Sequence, residues 1–371
     1  MHLSMLNRIA YQFLFLSLCC LLLLGTAHGA DNNLAEAVKK DFRALNEYAL
    51  KNSKDAIKKH LEIQAANRLV DWKRAAVLGM PEGQVLIAVC FDLGIRVPED
   101  REESARWLRK AAKQGFPPAQ ARLGWCYLRG IGVVQNAEEA AKLFRKAAEQ
   151  EYAFAQFELG FRYQHGEGVP KDVAEAVRWY RKAVAQGFPP AQARLGLCFL
   201  HGIGVSQNTE KAIKLFRKAA KQGFPQGQHE LGFRYRFGEG APHNGAEAVK
   251  WFRKAAERGF APSQFELGRC YFEGVGVPSD TEKAVKWLRK AAEQDFAPAQ
   301  TTLGGFYSLG IGVSRDHVEA VKWFRKAAKQ GCAEAQDRLG ISYLFGLGVA
   351  QDEEEAMKWL QKAVGPREPR R

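Results

Sequence analysis

The sequence predicts an all-α fold, a solenoid of stacked helix pairs, on three observations. The dipeptide Leu-Gly recurs at 123, 159, 195, 231, 267, 303 and 339, always 36 residues apart. A second motif keeps the same register: Arg-Lys-Ala-Ala begins at 109, 145, 217, 253, 289 and 325, with variants at 73, 181 and 361. Between these marks the apolar residues fall at helical rather than alternating spacing. A period held without insertion means one structural unit repeated. A lone helix pair cannot bury both its faces, so the units must stack on one another. Ile87-Ala88 marks a degenerate first copy, giving eight 36-residue helix-turn-helix repeats over 80–364.

The remaining segments follow in order. Residues 1–29 read as an export leader, with Arg8 at the positive end, an apolar run over 9–24 and small residues at 27–29. Cleavage is expected after Gly29. Sixteen apolar residues fall short of the about 20 that span a bilayer. An uncleaved anchor, or a lipid on Cys19, stays open as the alternative. The leader places the protein outside the cytoplasm, in the periplasm or the medium. Residues 30–79 form a helical cap, in which "LAEAVKKDFRALNEYAL" (34–50) is an amphipathic helix covering the open end of the array. Residues 365–371 are a basic tail.

Each repeat justifies its two helices locally. In the second repeat the first helix covers about 119–128. Leu123 and Tyr127 share a face, and Gly124 removes a side chain where a neighbouring helix presses. Gly130 and Gly132 permit positive φ in the turn that follows. Asn136 caps the second helix, and Asp172, Asn208, Asp280, Asp316 and Asp352 occupy the same slot. That helix runs from about 138 to 149 with an apolar stripe of Ala140, Ala141, Leu143, Phe144, Ala147 and Ala148. The glycine turns lie between helices and lack the Lys-Ser/Thr of a phosphate loop. In the first repeat Arg96 replaces the second turn glycine and Ala88 the packing glycine, as suits a terminal unit.

The pattern A-x-A-Q-x-x-L-G-x-x-Y, G-x-G-V, E-A-x-x-W-F-R-K-A-A-x-x-G resembles the Sel-one-like repeat (SLR) family, relatives of the tetratricopeptide helix pair. The resemblance covers roughly 80–371. It implies a right-handed superhelix whose first helices line a concave surface, and a role in binding proteins. Some secreted members staple each helix pair with a disulfide and are linked with β-lactam binding or hydrolysis. That link transfers poorly, because no repeat here has two cysteines. Cys90, Cys126, Cys198 and Cys270 share one slot in the first helix, and Cys332 stands where other repeats have Phe. Same-slot residues of adjacent repeats lie about 8–10 Å apart, beyond the about 7 Å a disulfide tolerates. These thiols are read as small buried apolar residues or as groups at the groove. A second period of 72 residues is also visible. "ARLGWCYLRGIGV" (121–133) returns as "ARLGLCFLHGIGV" (193–205), and "FELGFRYQHGEGV" (157–169) as "HELGFRYRFGEGA" (229–241).

Catalytic patterns are missing: there is no Ser-x-x-Lys and no His-Glu-x-x-His. His165 and His201 share a slot in adjacent repeats, but two ligands about 10 Å apart at the backbone make a poor metal site. No enzyme activity, cofactor or metal is expected. Net charge is +14, and each second helix carries a basic triad such as Lys142/Arg145/Lys146 or Arg178/Arg181/Lys182. This outer face is read as solvated and balanced by acids such as Glu138, Glu175 and Glu282. The alternative is weak contact with anionic lipid or cell-wall polymer, which would make the chain an envelope structural protein. Nucleic acid does not fit an exported chain. In the first helices the series Arg122, Glu158, Arg194, Glu230, Glu266 suggests charge pairs between neighbouring repeats. The groove is assigned to Trp125, Phe161, Arg162, His165, His201, Phe233, Arg234, Arg236, Phe237 and Arg269, because aromatics beside Arg suit a protein interface. The expectation is a monomeric, exported scaffold that binds a partner protein in this groove. An enzyme acting on β-lactams or peptidoglycan is the rival reading.

Overall fold

The structure is a computed structural model that describes residues 32–49 and 54–364. The leader and the basic tail lie outside the described residues. Among those described there are 18 helices and no strand, and no helix is long and apolar enough to cross a membrane. The chain divides into two compact units, 1–207 and 208–371.

The first unit holds helices Asn32–Ala49 and Lys54–Val77, then the pairs Pro81–Leu93/Arg101–Lys113, Pro117–Arg129/Ala137–Glu149 and Ala153–His165/Val173–Ala185, and last Pro189–His201. The second unit begins with Thr209–Lys221 and continues with Pro225–Phe237/Gly245–Glu257, Ala261–Glu273/Thr281–Ala292, Ala297–Leu309/His317–Lys329 and Ala333–Phe345/Glu353–Val364. Inside each unit every helix packs on the next in the chain.

Local chemistry sets the boundaries. Asn136 accepts the backbone N–H of Glu139 at 3.0 Å. Asp100, Asp172, Asn208, Asn244, Asp280, Asp316 and Asp352 cap their helices in the same way. Each such cap is worth about 1 kcal/mol. First helices end on a left-handed glycine, as at Gly130. The second turn glycine, Gly132, has φ 64° and lies against the carbonyl of Arg101 in the preceding repeat, where no side chain fits. In the first repeat Arg96 holds the same left-handed conformation, φ 58°.

One large side chain of each second helix fills the centre of its layer: Leu108, Phe144 and Tyr180 in the first unit, Phe216, Phe252, Leu288 and Phe324 in the second, all buried. The packing glycine faces Phe144, Tyr180, Phe252, Leu288 and Phe324. A Cβ on Gly124 would sit 3.1 Å from the Phe144 ring, so an alanine there would force repacking.

A glutamine ladder ties successive layers. The buried amide of Gln120 donates to the Ala112 carbonyl of the preceding repeat, and its oxygen accepts from Gln150 at the end of its own repeat. Gln156, Gln264 and Gln300 repeat both bonds. Burying an amide is tolerable only when its donors and acceptors are met. The fifth repeat departs: Arg258 stands in the slot of Gln150, donates to the Gly223 carbonyl, and leaves the Gln228 oxygen without a partner.

The sequence-based single capping helix is two helices. Asp41 of the first accepts from Arg68 Nε at 2.9 Å and Trp72 Nε1 at 2.8 Å of the second. The C-terminal half of Lys54–Val77 behaves as the second helix of a degenerate repeat. Trp72 takes the core slot, and the Ala76 carbonyl accepts from Gln84, the first rung of the ladder.

Cys90, Cys126, Cys198 and Cys270 are buried free thiols. Burial pushes them up, to about 12 for Cys90 and Cys126 and about 11 for Cys198 and Cys270. They are therefore poor thiolates and act as small apolar core residues.

Candidate partner-binding face

The residues assigned to the groove divide by burial. Trp125, Phe161, Arg162, Arg234 and Arg236 are buried, His165, His201 and Phe237 are exposed, and Phe233 and Arg269 are partly exposed. The buried ones serve the packing of the first helices and are not free to meet a guest.

In the third repeat, Arg162 lies between two carboxylates: Nη2 is 3.4 Å from Glu158 and Nη1 donates to Glu167 at 2.6 Å. Burial pushes the Glu158 carboxyl up to about 7, with Arg162 opposing. The Phe161 ring is flanked by the guanidinium groups of Arg162 at 4.8 Å and Arg194 at 5.1 Å, and stacks on His165 at 4.0 Å. His165 Nδ1 lies 2.9 Å from the Phe161 carbonyl and Nε2 3.3 Å from Arg194. A neutral ring with the proton on Nδ1 satisfies both contacts. Burial lowers the His165 pKa accordingly. This ties His165 to Arg194 rather than to His201, and among the described residues no group of three metal-ligating side chains occurs. Trp125 meets the Phe144 ring edge-on at 6.5 Å and is covered by Arg129 at 5.1 Å.

In the second unit the fifth repeat builds the same cluster. Arg234 lies 3.8 Å from Glu230 and donates to Glu239. Burial raises Glu230 to about 7. Phe233 packs on Phe237 at 4.5 Å, with Arg234 and Arg236 at 4.9 and 5.2 Å from the two rings. Arg236 then crosses to the sixth repeat and donates to Glu266 and Glu273, each at 2.5 Å. Arg269 holds Glu273 at 3.0 Å. The result is a half-exposed patch of Phe233, Phe237 and Arg269 on a buried ionic base.

The charge series expected to pair along neighbouring repeats pairs differently. Glu158 and Glu230 turn to an arginine one turn on in their own helices. Arg194 and Glu266 reach back to Gln164 and Arg236, six residues later in the preceding repeat's helix register. A helix places i and i+4 on one face, so for Glu158 the local partner wins where the preceding repeat offers Leu128 instead. The turn acids Glu167 and Glu239 and the exposed apolar residues Phe272, Leu309 and Phe345 were not singled out from sequence. Their signal is a slot for all but one: Glu167 and Glu239 follow, and Leu309 and Phe345 precede, the glycine that ends a first helix, while Phe272 lies two residues before Gly274.

The outer basic triads are largely engaged. Lys142, Arg178, Lys250 and Lys322 pair with a glutamate three residues earlier. Arg145, Arg253 and Arg325 donate to a tyrosine hydroxyl of the next repeat at 2.5–3.0 Å. Lys110, Lys182, Lys254, Lys290, Lys326 and Lys362 each cover a tryptophan at 4.0–4.4 Å. These contacts favour a face built for stacking and solvation.

A family model described as Sel1 repeat matches residues 81–116, 117–152, 153–188, 189–224, 225–260, 261–296, 297–332 and 333–364. Among solved structures, the chain is similar to a protective antigen of uropathogenic Escherichia coli that displays an SLR fold. The identity is 32%, the TM-score 0.60, and the match covers 97% of this chain and 76% of that one. It is also similar to a Sel1 repeat protein from Oxalobacter formigenes, with 32% identity, TM-score 0.58, and coverage of 84% of this chain and 91% of that one. A comparison with curated proteins found no match. Eight consecutive matches and the helix-pair geometry agree: the chain belongs to the Sel1 repeat family.

Proposed function

We propose that the protein is an exported scaffold, without catalysis of its own, that holds a segment of a partner protein against its first-helix face. Sel1 repeat proteins are generally protein-interaction scaffolds. The observation that carries the reading is the patch of Phe233, Phe237 and Arg269. Its rings stay half-exposed, while the arginines beneath them are fixed by Glu239, Glu266 and Glu273. A pre-ordered aromatic and guanidinium surface loses little entropy on binding. Export rests on the leader sequence at 1–29, and the Escherichia coli relative's being a protective antigen supports it.

The test is in-cell crosslinking and mass spectrometry with the wild type and a Phe237→Ala/Arg269→Ala variant. Both side chains lie at the surface, so the variant keeps its fold. Loss of specific crosslinked partners from the variant is expected. Equal recovery from both chains would remove this patch from partner binding.

A further inference from the structure

Two adjacent glycines lie inside helix Ala297–Leu309 of the seventh repeat, and packing accounts for only the first. Gly304 is the packing glycine: a Cβ there would sit 2.6 Å from the Phe324 ring. A Cβ on Gly305 would meet nothing within 4 Å. Gly305 is also helical, so no turn requires it. A glycine inside a helix costs stability relative to alanine. At Gly305 no close approach within the chain offsets that cost.

Other repeats fill this slot, and its residue meets the one a turn later. Phe161 stacks on His165 at 4.0 Å, and Phe233 packs on Phe237 at 4.5 Å. Arg129 covers Trp125 at 5.1 Å, and Arg269 holds Glu273 at 3.0 Å. In the seventh repeat the later residue is Leu309. Gly305 offers it no side chain, and Leu309 is 69% exposed. The other edge of the slot comes from the following repeat. Arg194 lies over the Phe161 ring at 5.1 Å, and the residue in the register of Arg194 after Gly305 is Arg338, which is exposed. Between Leu309 and Arg338 the chain therefore leaves a notch where the third repeat holds a ring.

We infer that this notch receives an aromatic side chain of the partner segment, which takes over Gly305 the place that Phe161 takes in the third repeat. Leu309 gives it apolar contact at one edge, and the Arg338 guanidinium gives the ring face a cation. The choice of an aromatic follows from the array itself, which puts Trp125, Phe161 and Phe233 in this slot. A ring also adds contact area at small conformational cost. The inference rests on the reading that the first-helix face holds a partner segment. The notch lies two repeats beyond Phe237 and uses none of Phe233, Phe237 and Arg269, so the two readings fail separately.

Methyl NMR on the purified, leucine-labelled chain tests it, with the Leu309 signals assigned by Leu309→Ala. The probe is a capped pentapeptide carrying one central phenylalanine among alanines, with central-leucine and all-alanine versions beside it. The phenylalanine peptide is expected to shift the Leu309 methyls saturably, and the all-alanine peptide to leave them in place. The leucine peptide should bind about two- to fivefold more weakly than the phenylalanine one, and Arg338→Gln should erase that preference. Gly305→Phe fills the notch and should abolish the saturable shift, while Gly305→Ala keeps it. Gly305→Ala should melt no lower than the wild type, because the position is helical and open. A wild type that shows no saturable shift, a leucine peptide that binds as well as phenylalanine, a shift that survives Gly305→Phe, or a lower melting temperature for Gly305→Ala overturns the inference.

Discussion

The third and fifth repeats share a cluster and differ at its edge. Both bury an arginine between a helix glutamate and a turn glutamate, Glu158–Arg162–Glu167 and Glu230–Arg234–Glu239. Both stack a phenylalanine against that arginine. Among the positions that change around this constant part, Phe157 becomes His229, Gln164 becomes Arg236, and His165 becomes Phe237. The third repeat therefore meets its neighbour through amide bonds and keeps a polar edge. The fifth meets its neighbour through Arg236 and two carboxylates, and turns an aromatic edge outward. The difference teaches that the Glu–Arg–Glu unit shapes the helix end and turn, while the chemistry of the exposed edge varies on the residues beside it.

The largest effect expected is on the shared part. Removing one partner of a buried ion pair costs about 3–5 kcal/mol, so Arg162→Ala and Arg234→Ala should destabilise their repeats similarly. The freed glutamates lose that cost when they take a proton. Glu158 and Glu230 sit near 7, above their usual 4.5, so their stabilisation is fully present below about pH 4.5 and is lost as pH rises through 7. The variants should therefore lose more at about pH 8 than at about pH 5. Urea unfolding at both pH values checks this. A loss confined to one repeat would break the equivalence.

The next effect separates the two repeats. His229 packs among Phe233, Phe252 and Phe260, with Nδ1 3.0 Å from the Ser263 hydroxyl. Its facing charges are Arg234, which opposes protonation, and Glu230 beside it. Burial lowers it from its usual 6.5 to about 4. A depressed folded value means stability that is full above 6.5 and lost as pH falls through 4. At about 1.4 kcal/mol per tenfold difference in proton affinity, the loss is at most about 3 kcal/mol. His229→Phe/Ser263→Ala restores the pair found at the same slots elsewhere in the array. It should flatten this acid branch, read as unfolding midpoints from about pH 7 to pH 4. An unchanged acid branch would assign the loss to other groups.

The array was legible in the sequence because its cause is periodic: Leu-Gly at 36-residue intervals reports the packing glycine against Phe144 and its equivalents. Caps such as Asn136 and turn glycines such as Gly132 were legible for the same local reasons. The groove was less so. Trp125 and Arg162 look like surface residues in a helical wheel, yet Phe144 and Arg129 pack on the first, and Glu158 and the turn acid Glu167 hold the second. The pairing of Arg236 with Glu266 and Glu273, 30 and 37 residues on, depends on how two successive first helices meet, which no local pattern carries. Helix Lys54–Val77 was missed as a layer of its own because only its last turns keep the repeat register.

The smallest effect on stability falls on the edge itself. Phe237 is 47% exposed, so Phe237→His, which gives the fifth repeat the residue of the third, should alter stability by no more than about 0.5 kcal/mol. Its consequence belongs to recognition. The swap removes apolar ring surface while keeping a planar side chain over Arg236, so packing within the helix end persists and the contact available to a guest shrinks. Specific crosslinks at this patch should weaken while the unfolding midpoint holds. If the crosslinks persist at full strength, the aromatic edge is as structural as the cluster beneath it, and Arg269 with its half-exposed guanidinium becomes the group that decides binding.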